Sequence, residues 1–220
     1  MENTSTFNEF AEHLEIRNEI IDGEGPWFWI KQDQGAWTGP QKDWQDLKPK
    51  LKLYCKSFDS VVCAGGNQGM YPRLYSRMFN SVYTFEPDPL NYHTLCLNCQ
   101  RPNIIKIQAG LGKETSVGKV DIKNMLNTGT HSIVPGSGMV PILKLDNFKF
   151  NNLSLLQLDV ERMEYEVMLG AQKTIEEHKP LIVVEVVTEP MKKLLDSMGY
   201  YFLDRTGHAD FIFGYIKPEH

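Results

Sequence analysis

Short apolar runs alternate with amphipathic stretches from about Leu53 to the end of the chain. Phe58 to Ala64 reads as a first strand, Met70 to Met78 as a helix and Ser81 to Phe85 as a second strand. Pro87 and Pro89 frame the start of the next helix, which carries Leu90, Thr94, Leu95 and Asn98 on related turns and stops at Pro102. Asn103 to Ala109 predicts a third strand. Leu153 to Asp159 is apolar until its polar end, as a central parallel strand should be. Glu164 to Glu177 places Tyr165, Met168, Leu169, Gln172 and Ile175 at helical intervals. Leu181 to Val187 is the strongest strand of the chain, and Pro190 opens a helix through Leu194 and Met198. Tyr200 to Leu203 and Phe211 to Tyr215, around Arg205-Thr206-Gly207-His208, predict a hairpin. The pattern specifies an α/β fold with a mainly parallel sheet and an antiparallel C-terminal edge.

Two stretches break the rhythm. Gly110 to Pro141 is rich in glycine and proline and predicts loops with a short strand or hairpin. Residues 1–50 hold all four tryptophans, Trp27, Trp29, Trp37 and Trp44, among Gly25, Pro26, Gly35, Gly39 and Pro40. So many turn formers argue against a long helix there. The expectation is a tryptophan-rich cap or extension over residues 1–50 on a core domain of residues 51–220. The rings either plaster the segment onto the core or supply a wall, from Trp27 or Trp37, to a pocket over the cleft.

With 220 residues the chain can bury one substantial core. A net charge of -5 argues against an extended nucleic-acid surface. No continuous apolar stretch approaches the ~18 residues of a membrane span. The polar start Met1 to Thr6 does not read as a secretion signal, so a cytoplasmic location is expected. Cys55, Cys63, Cys96 and Cys99 sit in strand-like or helix-like contexts and read as reduced. Cys96 and Cys99 have the spacing of a zinc or thiol-exchange pair, but His93 and one distant cysteine are a thin supply of further ligands.

The candidate chemistry lies at strand ends, where open α/β sheets bind their ligands. The first strand empties into Ala64-Gly65-Gly66-Asn67-Gln68-Gly69, and Glu86 ends the second strand, placed to accept both hydrogen bonds of a ribose diol. A dinucleotide and S-adenosylmethionine both use such a turn and acid. The turn fits neither Gly-x-Gly-x-x-Gly nor a phosphate loop ending in Gly-Lys-Ser/Thr. Asp159, Glu161 and Glu185 also fall at strand ends. His131, among small polar residues, is the best-placed imidazole for taking an alcohol proton.

These motifs together resemble the FkbM-like branch of the S-adenosylmethionine-dependent methyltransferases, over roughly Val61 to Val187. Val62 to Tyr71 is similar to that family's first-strand turn, and Tyr83-Thr84-Phe85-Glu86-Pro87-Asp88-Pro89 to its second-strand signature. Ala109-Gly110-Leu111-Gly112 is similar to the turn near adenine. Leu145-Asp146, Leu158-Asp159-Val160-Glu161 with Glu164, Leu169-Gly170-Ala171 and the Pro180 to Glu185 strand match its C-terminal signature. The resemblance implies a three-layer sandwich of the class I methyltransferase, Rossmann-like type. It implies a cofactor site formed by Ala64, Gly65, Gly66, Asn67, Gly69, Glu86, Pro87, Ala109 and Asp159. The catalytic candidates are Asp159, His131, Glu161 and Glu185, with no metal demanded. The implied reaction is methyl transfer to a hydroxyl of a sugar or other small molecule. The family usually has an acid where Cys63 stands and a glycine where Arg162 stands, which leaves open a cofactor-binding protein without catalysis.

Overall fold

The computed structural model describes residues 12–124, 126–207 and 210–215. Residues 1–11 of the expected cap and His208 in the expected hairpin lie outside them. The chain opens with an antiparallel pair, β1 (Leu14–Arg17) and β2 (Trp27–Ile30), followed by α1 (Gly35–Tyr54). The alternating section is β3 (Ser60–Ala64), α2 (Met70–Tyr75), β4 (Ser81–Phe85), α3 (Pro89–Asn98) and β5 (Ile104–Ile107). Then come β6 (Gly110–Leu111), β7 (Ser116–Asp121), β8 (Ser132–Pro135) and β9 (Val140–Leu143). The chain continues with β10 (Leu153–Leu158), α4 (Glu164–Gly170), α5 (Gln172–His178), β11 (Leu181–Val184), α6 (Glu189–Ser197), β12 (Tyr200–Arg205) and β13 (Phe211–Tyr215).

The main sheet runs β12-β13-β11-β10-β3-β4-β5, parallel from β11 to β5, with β13 and β12 antiparallel at one edge. From β3 the chain winds outward to β5, then returns to the other side of β3 at β10. The winding direction therefore reverses between β3 and β10, which opens a crevice at the carboxyl ends of those strands. Alternate residues of each strand serve opposite faces. Val61, Cys63, Leu155 and Val183 pack against α1, α2 and α3, while Val62, Leu156, Ile182 and Val184 pack against α4, α5 and α6. The result is the expected three-layer sandwich.

Three local expectations are corrected. The front segment does contain a long helix: α1 has 20 residues despite Pro40 and Pro49 inside it, and it runs through the expected boundary after residue 50. Trp37, Trp44, Leu47 and Leu51 lie on its buried stripe, and burying them outweighs a proline penalty of about 3 kcal/mol each. The single helix expected over 164–177 breaks at Ala171, because the Asp146 carboxylate accepts from the backbone of Lys173 and Thr174 at 3.3 and 2.9 Å and starts a new helix. The region after β5 holds a separate four-stranded sheet, β6-β9-β7-β8, in place of loops with one hairpin.

The tryptophans are core. Trp27, Trp29 and Trp44 are 0–1% exposed and share one cluster with Val61, Leu74, Tyr75 and Leu95. Polar bonds fix the segment from outside that cluster: Glu24 pairs with Arg73 at 2.8 Å and Arg101 at 2.6 Å, and Asn98 exchanges two 2.8 Å bonds with the Phe28 backbone. No helix among the described residues is long and apolar enough to cross a membrane. Removing residues 1–45 should therefore abolish cooperative folding, read as loss of the thermal transition in circular dichroism. Trp44→Ala should cost about 3–5 kcal/mol in urea unfolding.

Candidate active site

The crevice is built on a close approach of backbones. Gly65 has φ +86°, and a Cβ there would lie 1.8 Å from the Asp159 carbonyl oxygen; one on Gly66 would lie 2.2 Å from Thr84 Oγ1. Their amides donate to the Phe85 carbonyl at 3.0 and 2.9 Å, which holds the turn against β4. The glycines are thus demanded by the protein's own packing at the turn. Asn67, at φ +45°, donates its amide to Glu86 Oε2 at 2.7 Å.

A first cavity of about 580 Å³ lies beside this turn, with Ala64, Glu86, Pro87, Leu111, Ile133 and Met163 among its walls. Glu86 is buried and also accepts from the Asp88 amide at 2.8 Å. Burial pushes its carboxyl up to about 8, against the lowering effect of those amides. Asp88 caps α3 by accepting from Leu90 and Asn91 at 2.8 and 3.0 Å, and its second oxygen holds His131 Nδ1 at 3.0 Å. His131 Nε2 and Asn91 Oδ1 are buried without a hydrogen-bond partner, and both residues line this cavity.

A second cavity, of about 820 Å³, shares Gly65, Asn67, Gly129 and Asp159 with the first. Its walls carry Trp29, Tyr71 and the carboxylates Asp43, Asp159, Glu161, Glu185 and Asp210. Oxygens of Asp159, Glu161 and Glu185 lie within 4.8 Å of one another, so three carboxylates come together at cation-holding distance. Burial and then the negative charges of Glu185 and Asp210 push Asp159 well above the usual range, and its carboxyl hydrogen-bonds that of Glu185. Glu161 is raised by burial and by Glu185, and burial with Asp43 raises Asp210 to about 6.

The expected site residues divide accordingly. Ala64, Glu86, Pro87 and His131 line the first cavity, Gly66, Glu161 and Glu185 the second, and Gly65, Asn67 and Asp159 both. Gly69 and Ala109 line neither cavity. Gly69 is the left-handed N-cap of α2, where a Cβ would meet Cys99 Sγ at 2.9 Å. Ala109 is buried and leaves the wall to Gly110 and Leu111. His131 lies beside Asp88 and lines only the first cavity. The tryptophan at the second cavity is Trp29, while Trp27 sits under Arg73 and Trp37 packs edge-on against Trp29.

Lys106 on β5 donates to the Cys99 carbonyl at 2.7 Å. Cys63 is buried in β3 with its thiol on Gln157 Oε1 at 3.4 Å, and Cys99 is pushed up to about 12 by burial; neither is a reactive thiol. Asp43, Asp88, Asn91 and Asp210 are site residues that the sequence reading missed. Of these only Asp88 carried a local signal, an N-cap acid directly before a proline at the first helical position.

A family model described as the methyltransferase FkbM domain matches residues 73–202. Among solved structures, the chain is similar to the methyltransferase FkbM from Methylobacillus flagellatus KT, at 17% identity and TM-score 0.52, covering 71% of this chain and 43% of that one. It thus spans less than half of that relative's length. Weaker likenesses are TYW2 of M. jannaschii in complex with AdoMet (14% identity, 93% of this chain and 87% of that one, TM-score 0.46) and an rRNA methylase from Streptococcus thermophilus (10% identity, 76% and 92%, TM-score 0.46). No curated protein matches.

Two outcomes follow from the site's electrostatics and backbone. Glu86 and Asp210 hold their protons more tightly in the folded than in the unfolded chain, between 4.5 and about 8 for Glu86 and between 3.8 and about 6 for Asp210. The folded state therefore binds the excess protons in these windows, and its stability falls as pH rises through them. The melting temperature of the ligand-free protein should drop from about pH 5 to about pH 8, and Asp210→Asn should flatten the part below about pH 6. Arg162 sits at φ +74°, a left-handed conformation that a glycine adopts without strain. Arg162→Gly should raise the unfolding free energy by about 0.5–1 kcal/mol in urea titration.

Proposed function

The chain belongs to the FkbM family of methyltransferases, and from that premise we propose that it binds S-adenosylmethionine across the two cavities and methylates a hydroxyl of a small molecule. The observation that carries this reading is the junction: a cavity around a buried ribose-type carboxylate, Glu86, meets an acid-lined cavity along Gly65, Asn67, Gly129 and Asp159. When bound, S-adenosylmethionine supplies a methyl on a sulfonium, which an acceptor oxygen can displace as the electron pair of the carbon–sulfur bond leaves on sulfur.

The residues present suit that group. Glu86 accepts from the ribose diol, and Pro87, Leu111 and Ile133 offer apolar surface to the base. Cys63 brings no carboxylate to the ammonium end, and the acids of the second cavity take over that role. A cation held there would lower the raised Asp159 carboxyl, so that Asp159 would accept the acceptor's hydroxyl proton. Trp29 and Tyr71 give the acceptor a rigid aromatic wall. The interior position of Cys63 favours one second reading, a cofactor-binding protein without turnover.

Titration calorimetry with S-adenosylhomocysteine should give one saturable site, and Glu86→Ala should weaken it by about 1–3 kcal/mol. No heat at millimolar ligand overturns the reading. Incubation with methyl-labelled cofactor and a panel of hydroxylated acceptors should label at least one acceptor, and the label should be lost with Asp159→Ala. Binding without labelled product would favour the second reading.

A further inference from the structure

Resting on the methyltransferase reading, we propose that His131 Nε2 is a second sugar-recognition point, accepting a hydrogen bond from one ribose hydroxyl while Glu86 holds the other, with Asn91 Oδ1 beside it. The buried, unpartnered polar side-chain atoms among the described residues are Trp27 Nε1, Tyr75 OH, Thr84 Oγ1, Asn91 Oδ1 and His131 Nε2. Of these residues, Asn91 and His131 both line the first cavity. Leaving such an atom unsatisfied in a native fold costs free energy. Two of them in one cavity mark where a ligand completes the bonding.

The polarity of the missing partner follows from what is already bonded. The His131 side chain is 5% exposed, and its Nδ1 faces Asp88 Oδ2 at 3.0 Å. A carboxylate only accepts, so Nδ1 carries the hydrogen, and in the neutral form of the ring Nε2 then offers a lone pair. Asn91 directs its amide nitrogen at the Thr128 carbonyl at 3.4 Å, which leaves its oxygen as an acceptor. Both atoms therefore call for donors from the ligand. Asp88 sets them beside the sugar carboxylate: its amide donates to Glu86 Oε1 while its side chain holds His131 and caps the turn that carries Asn91. Each Glu86 oxygen already accepts one backbone amide, so a further acceptor for a two-hydroxyl sugar has a use.

The test titrates the full chain and its variants His131→Phe and Asn91→Leu with S-adenosylhomocysteine, its 2′-deoxy and 3′-deoxy forms, and its N6,N6-dimethyl form. The parent should bind each deoxy form about five- to tenfold more weakly than the complete nucleoside. In His131→Phe one deoxy form should bind within about twofold of the complete nucleoside while the other keeps its penalty, and Asn91→Leu should narrow that same penalty. If both penalties persist unchanged in both variants, the assignment is wrong. It is equally wrong if the variants lose only their discrimination against the N6,N6-dimethyl form, since His131 would then read the base. Should His131→Phe fail to fold by circular dichroism, Asn91→Leu decides. A parent that binds none of the four compounds overturns the methyltransferase reading itself, an outcome distinct from the others.

Discussion

The meeting of two backbones at the centre of the sheet governs the rest of the molecule. The Asp159 carbonyl occupies the space that any side chain at position 65 would need, so β3 and β10 can end side by side only around a residue without a Cβ. That contact makes the reversal of winding direction possible and leaves both cavities opening from one seam. It also places Asp159 in both of them. The placement of Asp159 and the glycine turn are therefore one structural decision.

A buried polar network fixes the surroundings of that seam. Asp33, fully buried, accepts from Gln68 Nε2 at 2.7 Å and from Thr128 Oγ1 at 2.6 Å, while Gln68 Oε1 accepts the Ile30 amide at 2.8 Å. The front segment, the glycine turn and the loop before β8 are tied together by these bonds across long stretches of sequence. Because the network is buried and its bonds are directional, it specifies one arrangement of the three pieces. The front segment is consequently a wall of the site as well as part of the core.

Much of the core was legible in the sequence, because its strands are apolar runs with no competing signal and the rule that ligands gather at strand ends picks out Glu86, Asp159, Glu161 and Glu185 from pattern alone. The helix over residues 35–54 was not legible, since local propensity weighs Gly39, Pro40 and Pro49 while the deciding quantity, burial of Trp37 and Trp44, is tertiary. Asp43 and Asp210 were hidden for the same reason: one stands on that helix and the other just before β13, and only folding brings them to Asp159. Ala109 and Gly69 line neither cavity: their residue types suit a ligand-facing turn, and packing holds both inside the protein. His131 was recognisable as an imidazole of interest, but which atom it offers depends on Asp88, a neighbour that no spacing rule supplies.

The seam also divides the site along the chain. Apart from Ala64 and the shared residues, the walls around Glu86 are drawn from positions 85–163, within the segment that the family pattern matches. Across the seam, Trp29, Gly35, Gly39, Pro40, Asp43, Met70 and Tyr71 all precede residue 73. The family pattern therefore constrains the walls around Glu86 and leaves much of the second cavity's wall unconstrained. Two proteins can satisfy it equally and still present different front segments to the same crevice.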